Sequence, residues 1–338
     1  MAHQSTIVEN GMTYNVTEFD HTAQEIDDAV SNLGGASTPQ GAIAALGAGV
    51  RPNLLVNPFF KINQRGKASY TGIVPTVDCW ESSSATLTVQ VTDDGVLLSG
   101  TGFDYLKNYI ESPEQYNGKT ITVSALVKNP GGQFRINLYN ESKQVSNNFN
   151  IPASSDWVII SGTIHGVQAS SGDKVCLLLY PGGGIQSQTA TAQVMATKVE
   201  EGETQTLGYI DSSGNPVLLE HPDPLEELKC KRYLYVLRPF NAAYGIVGTG
   251  LFNSATQARL FIPLTQKMRV NPSISYSGSF GVTNGKATYT PTLINVGEVT
   301  SAGVSLFVNT GSGPQAGDSA QLRFQNDTSA SLILDANL

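Results

Sequence analysis

The chain has 338 residues, enough for two domains of ordinary size that each bury a core. Charged residues make up only 14%, while 34 glycines and recurring short apolar runs point to many strands joined by turns. A net charge of −8 leaves no surplus of Lys and Arg for nucleic-acid phosphates or an anionic leaflet, and no stretch approaches the roughly 18 apolar residues of a spanning helix, so neither nucleic acid nor membrane insertion is expected.

Met1-Ala2-His3-Gln4-Ser5 lacks a basic region followed by an apolar run, so synthesis in a cytosol without a signal peptide is expected. Ser5 to Val8 and Met12 to Val16 flank Glu9-Asn10-Gly11, and Asn-Gly is a strong signal for a tight hairpin turn. Thr22-Ala-Gln-Glu25 is a capping box, in which the Thr hydroxyl and the Glu carboxylate each satisfy a free backbone N–H. Ala23, Ile26, Val30 and Leu33 then recur at spacings of three and four before Gly34-Gly35 stops the helix. That seam is too narrow to cover a globular core, so it predicts self-association, with docking on its own domain as the alternative. Thr38-Pro39 opens a second short helix carrying Ile43 and Leu46, and residues 1–50 thus read as a hairpin and a short α-helical stalk.

From Asn53 to Glu201 the pattern is strands at sandwich spacing: 85–91, 96–98, 120–127, 134–139, 157–160, 175–180 and 191–199. In Thr86-Leu87-Thr88-Val89-Gln90-Val91 one face is apolar and the other hydroxylic, the alternation of an antiparallel sheet with one wet side. Asp211-Ser-Ser-Gly214-Asn-Pro216 and His221-Pro222-Asp223-Pro224 break the pattern and make 203–227 a linker. A second sandwich follows over 228–338, after a helical turn near Leu225 to Lys229. The fold class expected is all-β with a short amino-terminal α-helical stalk and two β-sandwich, jelly-roll-like domains, 51–202 and 228–338.

Asn53-Leu-Leu-Val-Asn57-Pro-Phe-Phe60-Lys-Ile-Asn63-Gln64-Arg65-Gly66 with Asp78-Cys-Trp80 resembles the opening of jelly-roll modules in phage and prophage tail-fibre proteins. Gly118-Lys-Thr-Ile-Thr-Val-Ser-Ala-Leu-Val-Lys128 is similar to a strand of carbohydrate-binding jelly rolls, and Lys198-Val-Glu-Glu-Gly202 continues the match. Leu228-Lys-Cys-Lys-Arg232-Tyr233 and the stretch from Pro263 to Pro272 look like the sequel in the carboxy-terminal sandwich. The resemblance runs over roughly residues 20 to 338, carried by the order of the motifs. It implies a homotrimeric virion tail fibre, made in the bacterial host cytoplasm, with Ala23, Ile26, Val30 and Leu33 as its trimer seam. It also implies baseplate or tail proteins as partners at the amino terminus, a distal receptor-binding tip, and bacterial surface glycan or surface protein as the target.

Sugar recognition needs exposed rings for the apolar face of a pyranose and amides or carboxylates for its hydroxyls. Tyr105, Tyr109, Tyr116, Phe134 and Tyr139 with Asn137 and Asn140 are candidates on the first sandwich, and Tyr244, Phe252, Tyr276, Phe280 and Tyr289 near turns of the second. Asn53, Asn57, Asn63, Gln64 and Arg65 either tie down the start of the sandwich or contact sugar or a partner chain. Trp80 and Trp157 are expected to be packed.

No catalytic residue is assigned. His3, His21, His165 and His221 are scattered, and Glu200-Glu201 and Glu226-Glu227 read as carboxylates on solvated faces that point apart. Gly182-Gly183-Gly184 has no phosphate-loop context, and Asp93-Asp94-Gly95 is an ordinary turn with too few ligands for calcium. Cys79, Cys176 and Cys230 lack metal spacing and are expected to be reduced thiols. No metal and no cofactor is expected. A polysaccharide-degrading tailspike and a purely structural connector or decoration protein are the rival functions.

Overall fold

The computed structural model describes residues 6–9, 12–15, 50–186, 188–220, 222–240 and 243–337. The amino-terminal hairpin is present: β1 (Thr6–Glu9) pairs antiparallel with β2 (Met12–Asn15), Thr6 opposite Asn15. The two stalk helices and the proposed seam Ala23, Ile26, Val30 and Leu33 lie outside the described residues.

The first sandwich is built from β3 (Ser69–Thr71), β4 (Glu81–Ser82), β5 (Thr88–Thr92), β6 (Gly95–Thr101), β7 (Leu106–Tyr109), β8 (Ile121–Asn129), β9 (Phe134–Asn140), β10 (Val145–Ile151), β11 (Ser154–Ile164), β12 (Val175–Tyr180) and β13 (Thr189–Glu201). One sheet has the order β10-β9-β12-β7-β4 and the other β11-β8-β13-β6-β5-β3, all neighbours antiparallel. Consecutive strands repeatedly change sheet, as in a jelly roll. Between the sheets the alternate residues of each strand meet: Leu106, Ile136 and Leu177 from one side pack with Val96, Val123 and Val194 from the other.

β14 (Gly208–Ile210) and β15 (Pro216–Leu218) form a hairpin in the linker, followed by helix α1 (Glu226–Lys231). The distal sandwich comprises β16 (Leu234–Leu237), β17 (Ile246–Ser254), β18 (Gln257–Pro263), β19 (Ser273–Ser277), β20 (Phe280–Thr283), β21 (Thr288–Tyr289), β22 (Pro291–Val299), β23 (Gly303–Thr310), β24 (Ser319–Phe324) and β25 (Ser331–Asp335). A three-stranded sheet, β16-β25-β19, faces a seven-stranded one, β21-β20-β24-β17-β18-β23-β22, over a core that includes Leu260, Leu306, Leu322, Leu332 and Leu334.

The dense amide motif at the start of the first sandwich is a joint between the domains. The Asn57 side chain bridges Ile62 O and Asp78 O, which holds its backbone at φ 57, while its own N–H donates to the Glu226 carboxylate of α1 at 2.5 Å. Gln64 Nε2 donates to Leu234 O at 2.7 Å and Gln64 Oε1 accepts from Val236 N–H at 3.3 Å, so one amide pairs with the free edge of β16 as a strand residue would. Arg65 meets Asp335 at 3.0 Å, and Glu111 takes both the Arg232 guanidinium and the Tyr233 hydroxyl. Gly66 sits at φ +63 with Arg238 over its α-carbon, a place where a side chain meets both backbone strain and that guanidinium. Trp80 is buried, its ring 4.7 Å from that of Phe60 and its indole N–H on Asn57 O.

The carboxylate pairs read as solvated are split. Glu200 is buried and accepts Thr206 N–H and hydroxyl, whereas Glu201 is exposed and pairs with Lys119; Glu226 is buried at the joint, whereas Glu227 pairs with Lys231 in solvent. Lys198, wholly buried, is 2.8 Å from Glu220 of the linker. The motif Lys198-Val-Glu-Glu-Gly202 is therefore an anchor for the linker, placed by strand alternation that puts residues 198 and 200 on one side.

Candidate binding face

Each sheet of the first sandwich has an outer face, and the two differ. On the six-stranded sheet the outward residues Leu126 and Ala196 are buried beneath Phe59 of the lead-in segment and Leu207, with Ile210 and Leu218 of the linker hairpin alongside. Trp157, under the Lys128 ammonium at 5.2 Å, borders the same cluster. That face is occupied by the chain itself.

The outer face of the five-stranded sheet presents aromatic rings. β12 is Val-Cys-Leu-Leu-Leu-Tyr, apolar throughout, so both its sides must be covered. Val175, Leu177 and Leu179 go to the core; Cys176 and Leu178, only 0% and 2% exposed, face outward with Tyr180 beneath the half-exposed Tyr105, Tyr109 and Tyr139. The ladder sets the rows. Cys176 lies opposite Tyr139 on one side and Tyr109 on the other, Leu178 lies between Asn137 and Lys107, and Tyr180 is opposite Arg135. Tyr105 packs on Tyr180 with ring centroids 5.1 Å apart, and Arg135 lies 5.7 Å from the Tyr180 ring.

Polar groups surround the rings. Lys107 Nζ donates to the Tyr109 hydroxyl at 2.7 Å and lies 3.3 Å from Glu141 and 3.8 Å from Glu81; Tyr109 donates to Glu141. Burial works against the Lys107 charge, but the Tyr109 hydrogen bond and the two carboxylates outweigh it and hold its pKa above the ordinary lysine range. Burial raises the Tyr109 and Tyr180 phenols to about 12, so both are donors at neutral pH. Burial also raises the Cys176 thiol. Asn137 donates to Ser146 and accepts Asn147 N–H, which fixes its amide beside Leu178. The result is a shelf of rings bordered by fixed donors and acceptors, chemistry suited to a ligand with one apolar side and hydroxyls at its rim.

Of the residues proposed from sequence, Tyr105 and Tyr139 come together here with Tyr109, whereas Asn137, proposed as a ligand residue, is buried with its amide taken by Ser146 and Asn147. Phe134 is in the core, Tyr116 packs against the core from a 3-10 turn, and Asn140 holds a loop through Gln168 O and Asp173. Tyr180, Lys107, Arg135 and Glu141 belong to the face but were not singled out: the all-apolar β12 has no alternation that marks Tyr180 as outward, and Lys107 and Arg135 are brought beside it only by the pairing of β7 and β9 with β12, which no local pattern announces. The distal candidates do not gather. Phe252 and Phe280, 1% and 6% exposed, are core residues, and Tyr289 packs edge-on against Phe252 at 5.8 Å. Tyr244 and Tyr276 are exposed, the first beside Arg323 of the seven-stranded sheet and the second on the three-stranded sheet.

No protein-family model matches the sequence, and no curated protein does. Among solved structures, the chain is similar to a Clostridium thermocellum endo-1,4-β-D-xylanase fragment of CBM22-1 and GH10 modules with xylohexaose, at 11% identity and TM-score 0.29, over 41% of this chain and 29% of that one. It spans less than a third of the first two structures so matched. It is also similar to the carbohydrate-binding module TmCBM61 in complex with β-1,4-galactotriose, at 11% identity and TM-score 0.29, over 45% of this chain and 99% of that one. A third likeness is to a xylan-binding domain from Paenibacillus barcinonensis, at 12% identity and TM-score 0.28, over 37% of this chain and 92% of that one.

Proposed function

We propose that the chain is the receptor-binding protein of a phage or phage-tail-like particle, which attaches the particle to a bacterial surface by holding a surface glycan across the outer face of the five-stranded sheet. The observation that supports it is the contrast between the two outer faces of one sandwich: one is sealed by the chain's own linker, the other displays Tyr105, Tyr109 and Tyr139 among fixed amides and charges. A pyranose ring lays its C–H face on a phenol while its hydroxyls reach Arg135, Glu141 and Lys107. The order of motifs shared with tail-fibre modules supplies the particle context, with homotrimeric assembly and attachment to tail proteins at the amino terminus. Binding without cleavage fits the engagement of both nearby carboxylates, Glu81 and Glu141, with Lys107.

The test is binding of the purified protein to host cells and to oligosaccharides released from their surface. Tyr105→Ala and Tyr139→Ala should each weaken binding at least about tenfold, roughly 1.4 kcal/mol, with the folding midpoint little changed. Unaltered binding by both variants would refute the assignment of the face. Appearance of new reducing ends in the incubated glycan would refute the non-enzymatic reading and favour a degrading tailspike.

A further inference from the structure

At its β4 edge the aromatic shelf continues into a cavity of about 240 Å³ between the two domains. Tyr109, Glu81 and Trp80 form its wall on the first sandwich; Tyr233, Asp335 and Asn337 form the opposite wall on the distal one. Tyr109 and Glu81 thus belong to both the shelf and the cavity. We infer that this cavity is a second binding site, one that takes a single neutral, hexose-sized polyol, in the simplest case the terminal unit of the glycan lying across the tyrosines; the inference rests on the glycan reading of the face.

The lining selects the class. Its rings offer apolar walls; of its two carboxylates, Asp335 is matched by Arg65 at 3.0 Å, while Glu81, at 3.8 Å from Lys107, shares that ammonium with Glu141 at 3.3 Å. The charge left over at Lys107 is negative, which disfavours an anionic occupant. Yet a carboxylate has about four acceptor positions, and Asp335 uses only the Arg65 guanidinium and the Asn337 N–H in the structure. Spare acceptors beside aromatic walls suit hydroxyl donors.

The two walls are held in place before any ligand arrives. Gln64 on the β16 edge, Arg65 on Asp335, Glu111 on Arg232 and Tyr233, and Glu226 on Asn57 span the joint on several sides. A preformed site avoids the ordering cost that would otherwise be subtracted from affinity.

The inference is tested on the full chain by calorimetric titration with glucose, galactose, N-acetylglucosamine and oligosaccharides released from the host surface. Asn337→Phe fills the cavity, Glu81→Gln removes a carboxylate acceptor with little change of shape, and Tyr139→Ala alters the shelf on β9, beyond β12 and β7 from the cavity. Expected is loss of free-hexose binding and at least about a tenfold loss for oligosaccharides in both cavity variants, while Tyr139→Ala weakens oligosaccharides but leaves free hexose within about twofold. If both cavity variants bind every probe as wild type does while Tyr139→Ala loses the oligosaccharides, the cavity is not a site and the shelf assignment survives. If wild type binds none of the probes, the shelf reading and the cavity inference both fall. Should Asn337→Phe disturb folding, as judged by its thermal midpoint, Glu81→Gln alone decides.

Discussion

Tyr109 shows how burial on a sheet face turns into a measurable property. Burial raises its phenol from 10.0 to about 12, so the folded chain favours the protonated form more than the unfolded chain does. That stabilisation is complete below about pH 10 and is lost as pH climbs toward 12, and Tyr180 acts in the same sense. Urea midpoints should therefore drop between about pH 10 and 12, and Tyr109→Phe should shrink the drop; an equal drop in the variant would deny Tyr109 its part. Phe134 marks the opposite case, a ring read from sequence as a ligand platform that lies wholly in the core. Phe134→Ala should cost about 3–5 kcal/mol of stability by denaturant unfolding. The alternation in β9 separates the two: Phe134 shares a face with the apolar Ile136 and Leu138 in the core, whereas Tyr139 shares the other with Arg135 and Asn137.

At the level of elements, strand periodicity was legible where one face is wet and faded where both are covered. Leu87 and Val89 are buried as the alternation from Thr86 to Val91 predicts. In β8 and β12 nearly every residue is buried, because Phe59 and the β14–β15 hairpin cover one sheet and the tyrosines cover the other. The motif Asn63-Gln64-Arg65-Gly66 was visible as a cluster of amides, but its partner strand β16 lies some 170 residues away in sequence and nothing local announces it. Gln64→Ala should leave Leu234 O and Val236 N–H without partners at about 1–3 kcal/mol. The expected readout is faster proteolysis in the linker 203–227, with the first sandwich intact; an unchanged cleavage rate would mean that the amide does not hold the domains together.

For the whole molecule, the proposed shelf and cavity would gain most when several copies act together, since linked sites raise effective concentration without any new contact. The proposed homotrimer should appear in solution as a mass of three chains. Ile26→Asp with Val30→Asp should convert it to single chains that keep both sandwiches folded, as read by light scattering and near-ultraviolet dichroism. A single-chain mass for the unaltered protein would remove the trimer, and with it the multivalent account of attachment.

The amide of Gln64 also has a protective effect. β16 ends its sheet, and such a border with bare N–H and C=O groups is a template on which a foreign strand can grow. By occupying that border from a neighbouring domain, one side chain caps it much as a short decoy strand would. Concentrated Gln64→Ala protein should accordingly show time-dependent clumping, with thioflavin-positive material, even where its individual domains remain native.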